Sequence, residues 1–178
     1  MAKKSLFLSF FLCLSLAVPA ERVTRPTPDE IKFRGLRPLA NRADYAVTCF
    51  TESIGVGATL IRPEQVRNLF GADVDRSYIV VEVGFYSKTH SSFDVRHADF
   101  ALRNRPSRTL VKSADPRMIG ASLPKPVNGL VERTLPEVST TQAVAGYLFF
   151  PITEATASFY ELDYTGYGSW LTLPLKPR

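Results

Sequence analysis

Cysteine, histidine and tryptophan are nearly missing from this chain, with two, two and one among 178 residues. Each scarcity excludes something. Cys13 sits in an apolar leader, so a processed chain would keep Cys49 alone and could close no disulfide within itself. Small exported domains often depend on such bridges, but the 158 residues numbered 21–178 can bury one core without them. Two histidines leave little material for a histidine-rich metal centre. Long apolar runs are lacking too. The leader run "SLFLSFFLCLSLAV" falls short of the roughly 18–20 residues that cross a bilayer, and no second run follows. Strong charge of one sign is the last absence. The formal charge of +5 comes from 22 basic and 17 acidic residues, and losing Lys3 and Lys4 with the leader reduces it to +3. The arginines are scattered along the chain, which gives no nucleic-acid footprint.

What is present begins with a processing signal. Lys3 and Lys4 precede the apolar run, and Val18 and Ala20 hold the small-residue positions before a cut after Ala20. Residues 1–20 therefore read as a secretory signal peptide. The mature protein is expected outside the cytoplasm, in a periplasm or secreted, with no transmembrane segment once the signal is removed. Residues 21–43 hold three prolines, five arginines and no apolar period, and read as a flexible tail. The domain is expected over 44–178.

Within it, strand patterns dominate. "YAVTCF", "VGATLI", "SYIVVEVGFYS", "SFDVR", "DFALR", "VAGYLFFPI", "ASFYELDY" and "SWLTLPL" are short, rich in β-branched and aromatic residues, and mostly alternating. In the clearest of them, Ile79, Val81, Val83 and Phe85 share one face, and the mixed opposite face predicts cover on one side only. Pro63 and Gly71 bracket a short helix, and Asp115–Pro116 open another. The rest of 103–142 is a proline-punctuated connection between sheets. Seven or eight short strands with one or two short helices in connections predict an all-β, two-sheet sandwich.

The order of these pieces is similar to a known group. "SYIVVEVGFYSKTHSSFDVRHADFALR" joins a long apolar strand, a polar turn, a short strand and an aromatic-x-Leu ending. A proline-rich crossover, "AGYLFFPI" and a closing hairpin follow, with Gly146, Phe149 and Ile152 spaced as G-x-x-F-x-x-φ, φ being apolar. Over residues 44–175 the chain resembles the extracytoplasmic immunoglobulin-like domains of bacteria, a group of unknown function that includes lipoproteins and secreted antigens. The resemblance implies an immunoglobulin-like β-sandwich and an extracytoplasmic place, and it brings no catalytic residues. The turn "SKTHSS", the helix near 63–70 and the length of 103–142 depart from the group's pattern.

Chemistry has few carriers. "HSSFDVRHAD" holds both histidines, His90 and His97, with Asp94 and Asp99. A strand of about five residues between them separates their turns by about 16 Å, too far to share one ion. His97 with Asp99 supplies two ligands where a stable site needs three or four. Cys49 alternates with Tyr45 and Val47 and reads as an inward, unreactive thiol. Glu161 and Asp163 share one strand face, whereas glycosidase carboxylates come from different strands around a cleft. No nucleophile elbow or phosphate-binding glycine loop is present. The hairpin "YTGYGSW" offers Tyr164, Tyr167 and Trp170 as a contact surface, the alternative being that Trp170 packs under the 103–142 connection. The expectation is an exported, non-enzymatic binding or structural module of the bacterial envelope, without a cofactor, whose partner is a protein or envelope polymer. The alternative is an exported hydrolase or metal-handling protein using His97 with Asp99 or Cys49.

Overall fold

A computed structural model describes residues 38–39, 41–105, 107–153 and 159–175. The expected signal peptide and most of the expected tail lie outside the described residues. Among those described there are ten strands, all paired antiparallel, and four short α-helices. Both counts exceed the expectation from sequence.

Sheet I takes β1 (Val47–Phe50), β2 (Ile54–Leu60), β3 (Tyr78–Ser87) and β8 (Val144–Pro151), in that order. Sheet II takes β10 (Ser169–Leu175), β9 (Tyr160–Gly166), β5 (Phe100–Asn104) and β6 (Leu110–Lys112). β4 (Phe93–Val95) and β7 (Val138–Thr140) form a small ladder. One core joins these parts. Val56, Val83, Phe85, Leu148 and Phe150 from sheet I meet Phe100, Leu102, Leu162, Tyr164 and Leu173 from sheet II, with Phe93 and Val95 of β4 beside them. Period-two alternation aims these side chains to one side.

Sheet I differs from expectation on its other face. The central stretches of β3 and β8 are buried at consecutive positions, so neither strand has a wet side. Val80, Tyr147 and Phe149 point away from the main core into a second one, completed by Val66, Phe70, Val74, Ile119 and Leu130. Those residues come from α1 (Pro63–Phe70), α2 (Ala72–Ser77), α3 (Pro116–Ser122) and α4 (Leu130–Arg133). The helices are therefore a covering layer. Asp115 caps α3 by accepting from Arg117 N at 2.9 Å, as its place before Pro116 implies. Arg133 fastens α4 to α1. Its buried guanidinium donates to the Leu69 carbonyl at 2.7 Å and lies 5.6 Å from the Phe70 ring centroid. A cation at a helix C-terminus is favoured by the exposed carbonyl dipoles there.

The far end of the same face is covered by Leu39, expected to be tail, and by Tyr45. Leu39 is buried, and its carbonyl accepts from Tyr86 Oη at 2.6 Å. Tyr45 lies flat across Gly57 and Gly84, where an added Cβ would come within 2.4 and 2.2 Å of its ring and hydroxyl. Leu39 therefore packs with the sheets although it precedes residue 44.

Gly146 fixes how the helical layer returns to the sheets. The backbone of Leu135 crosses β8 there, donating to Tyr147 O at 3.0 Å. A Cβ on Gly146 would lie 2.2 Å from the Leu135 nitrogen and Cα. Gly146→Ala is therefore expected to destabilise the fold by about 3 kcal/mol through overpacking against backbone. Urea unfolding checks this as a lower midpoint at unchanged slope. A midpoint equal to wild type contradicts it.

Candidate functional site

The hairpin that closes sheet II separates the three aromatics expected to act together. Ser169 pairs with Gly166, leaving Tyr167 and Gly168 as a two-residue turn with φ of 52° and 66°. Turns with two positive φ values match the twist of the strands they join, but a non-glycine residue seldom adopts that conformation. Tyr167 does so while half exposed, and Trp170 is 70% exposed. Tyr164 instead faces the core at 0% exposure, its ring centroid 5.1 Å from that of Phe100 and 5.3 Å from that of Phe85. It belongs to no surface. Its hydroxyl has no hydrogen-bond partner, and burial with the nearby Asp99 charge pushes its pKa up to about 12.

Trp170 stands on the outward face of sheet II. The register aligns it with Thr165, then Thr172 with Asp163 and Ala101, then Pro174 with Glu161 and Arg103. Thr165, Trp170, Thr172, Pro174, Leu110 and Lys112 on this face are exposed. Buried on this face are Ala101 and, as its one buried charge, Asp163. It accepts from Arg103 Nε at 3.1 Å and Nη2 at 2.5 Å, and from Thr172 Oγ1 at 2.8 Å. Glu161 accepts from Arg105 Nε at 2.8 Å. Each of the two carboxylates is thus committed to an arginine more than fifty positions away. Beyond them Arg103, Arg105, Arg108 and Glu161 line an open cleft of about 380 Å³.

The histidine-bearing stretch folds differently from the metal alternative. His90 is an exposed turn residue at φ 57°, beyond the end of β4 from His97. His97 is not a solvated turn residue, since its side chain is 13% exposed. Its Nε2 lies 2.5 Å from the Leu135 carbonyl, and its Nδ1 lies 3.8 Å from Glu137. The two ring nitrogens are directed there, and Asp99 faces Gly166 and Tyr164 instead. Among the described residues no three His, Cys, Asp or Glu side chains gather as metal ligands. Cys49 is half-buried beside the main core, its Sγ 3.9 Å from the Thr172 carbonyl, and burial raises its pKa. A thiol so placed is a poor nucleophile at neutral pH.

No family model matches the chain, and no curated protein matches it. Two solved structures are similar in part, both from Bacillus subtilis. One is ycdA, a candidate lipoprotein of strain 168, at 18% identity over 72% of this chain and TM-score 0.45. This chain spans 38% of that one. The other is the yjhA protein, at 13% identity over 75% of this chain and 98% of its own, with TM-score 0.46. Likeness at this level assigns no activity.

Two outcomes are expected at these residues. Burial holds the Asp99 carboxyl above its ordinary value of 3.8, against the pull of Arg96 and Lys112. A raised carboxyl pKa means that ionisation costs the folded state stability. The cost is absent below the unfolded pKa, grows as pH rises through the folded one, and is complete at neutral pH. Asp99→Asn should therefore match or exceed wild-type stability at neutral pH, and lose any advantage on acidification below about pH 4. A less stable variant at pH 7 contradicts this. His97→Ala should lower stability by about 1 kcal/mol through the lost Leu135 bond, equally with zinc and with a chelator. A zinc-dependent rise in the wild-type midpoint, abolished by His97→Ala, would restore the metal reading.

Proposed function

We propose that this protein is an exported, non-enzymatic binding module of the bacterial envelope, with the outward face of sheet II as its contact surface. The observation that carries this is Trp170, the single tryptophan of the chain, 70% exposed on a sheet face. Burying an indole elsewhere would have been favourable by about 2 kcal/mol or more. Tyr167 adds a second exposed ring at the same end, on a backbone conformation that costs of order 1 kcal/mol. Aromatic side chains placed outward on a rigid scaffold are enriched at contact surfaces. Tyr164 drops out of this surface because it is core.

The shared core between sheets I and II supports reading the scaffold as immunoglobulin-like, extended by a helical layer. The leader pattern in residues 1–20 supports export to a periplasm or the medium. The partner is a protein or an envelope polymer. The hydrolase or metal alternative draws no support from the placement of His97, Asp99 and Cys49.

Trp170→Ala is the direct test, using intrinsic fluorescence and co-sedimentation with purified cell-wall polymer as readouts. The variant should keep the wild-type unfolding midpoint within about 0.5 kcal/mol, as an exposed substitution does. It should also weaken polymer binding by about tenfold or more, since an aromatic anchor is worth at least 1.4 kcal/mol. Equal binding by variant and wild type would remove Trp170 from the proposal. Retention of the full-length chain, uncut, inside expressing cells would remove export.

A further inference from the structure

Four residues at the end of sheet II away from the Trp170 hairpin combine features that a solvated charged face does not need. Arg103, Arg105, Arg108 and Glu161 line an open cleft of about 380 Å³. Three guanidinium groups meet two carboxylates there, because Asp163 holds Arg103 and Glu161 holds Arg105. One positive charge remains, and Arg108 carries it with no ion pair among the described residues. Each guanidinium has five N–H donors. Arg103 gives two to Asp163 and Arg105 gives one to Glu161, so both are anchored and still have donors to offer. Arg108 is presented by a left-handed backbone, φ 61°, pinned by its amide bond to the Asn104 carbonyl at 2.7 Å. Non-glycine residues held in that conformation concentrate at ligand-contacting positions.

We propose that this cleft binds an oxyanion, a carboxylate or sulfate group, through Arg108 with the free edges of Arg103 and Arg105. A planar guanidinium fork pairs with such groups bidentately, which a surface lysine cannot do. The cleft shares the outward face with Trp170. Pro174 stands in the Glu161–Arg103 row and lies four residues from Trp170 along β10, about 13 Å. That spacing favours an acidic polymer lying across both points over a free small anion. The inference rests on the outward face being the contact surface, and it adds the charge class of what binds there.

Titration of the purified protein with inorganic sulfate, with glucuronate and with a glucuronate oligosaccharide tests it by calorimetry at low and high salt. Wild type should bind the oligosaccharide, Arg108→Gln should weaken this by about tenfold, equivalent to one lost charge-assisted pair, and Glu161→Gln should strengthen it. High salt should weaken wild type more than Arg108→Gln. If sulfate and glucuronate bind as tightly as the oligosaccharide in an Arg108-dependent way, the site stands and its ligand is a free anion. If Arg108→Gln abolishes binding while Trp170→Ala does not, the site stands and the aromatic contact fails. If no probe binds, or binding ignores Arg108→Gln, the oxyanion site is overturned, whatever polymer Trp170 contacts.

Discussion

Sheet I has no face that can be left in water, and the rest of the architecture follows from that. β3 and β8 bury successive residues on both sides. Sheet II supplies cover for one side. The other needs four helices, a buried arginine and a tyrosine laid across two glycines. Burial of apolar surface at about 25 cal/mol per Å² makes each of these covers favourable. Among the described residues, the helical cover lies on sheet I alone. Sheet II is left with an outward face of threonine, charged pairs and one tryptophan.

This division of labour explains why the long connection between β5 and β8 is not idle. It carries α3 and α4 into the second core and then passes its backbone over Gly146. It also delivers Leu135 and Glu137 to His97, which turns a histidine from a potential ligand into a fastening between a turn and a crossover. The carboxylates of β9 have an analogous role on sheet II. Asp163 and Glu161 tie β9 to Arg103 at the end of β5 and to Arg105 just beyond it, and stiffen the face on which Trp170 stands.

Much of the strand layout was legible. Residues 78–87, 160–166 and 169–175 alternate clearly, and the helix at 63–70 is bracketed by Pro63 and Gly71. β6 and β7 bury none of their three residues and so show no apolar alternation, whereas Phe93 and Val95 mark the equally short β4. α2, "ADVDRS", is too polar and short to declare itself. The second core was visible in principle: "GYLFFP" is apolar at consecutive positions, which alternation for a half-wet strand does not allow. Tyr164 was legible as core from its alternation with Tyr160 and Leu162, and its nearness in sequence to Trp170 misled. The partners of His97, Arg103 and Arg105 lie 38 to 60 positions away, so no local pattern could place them.

The central claim is that the outward face of sheet II is open while both faces of sheet I are closed. A chain with a single tryptophan allows this to be read directly by acrylamide quenching of native fluorescence, compared with the same chain in urea. Native emission should lie close to that of the unfolded chain, with quenching nearly as efficient. A blue-shifted native emission shielded from acrylamide would mean that something covers Trp170, and the assignment of this face as the contact surface would fail.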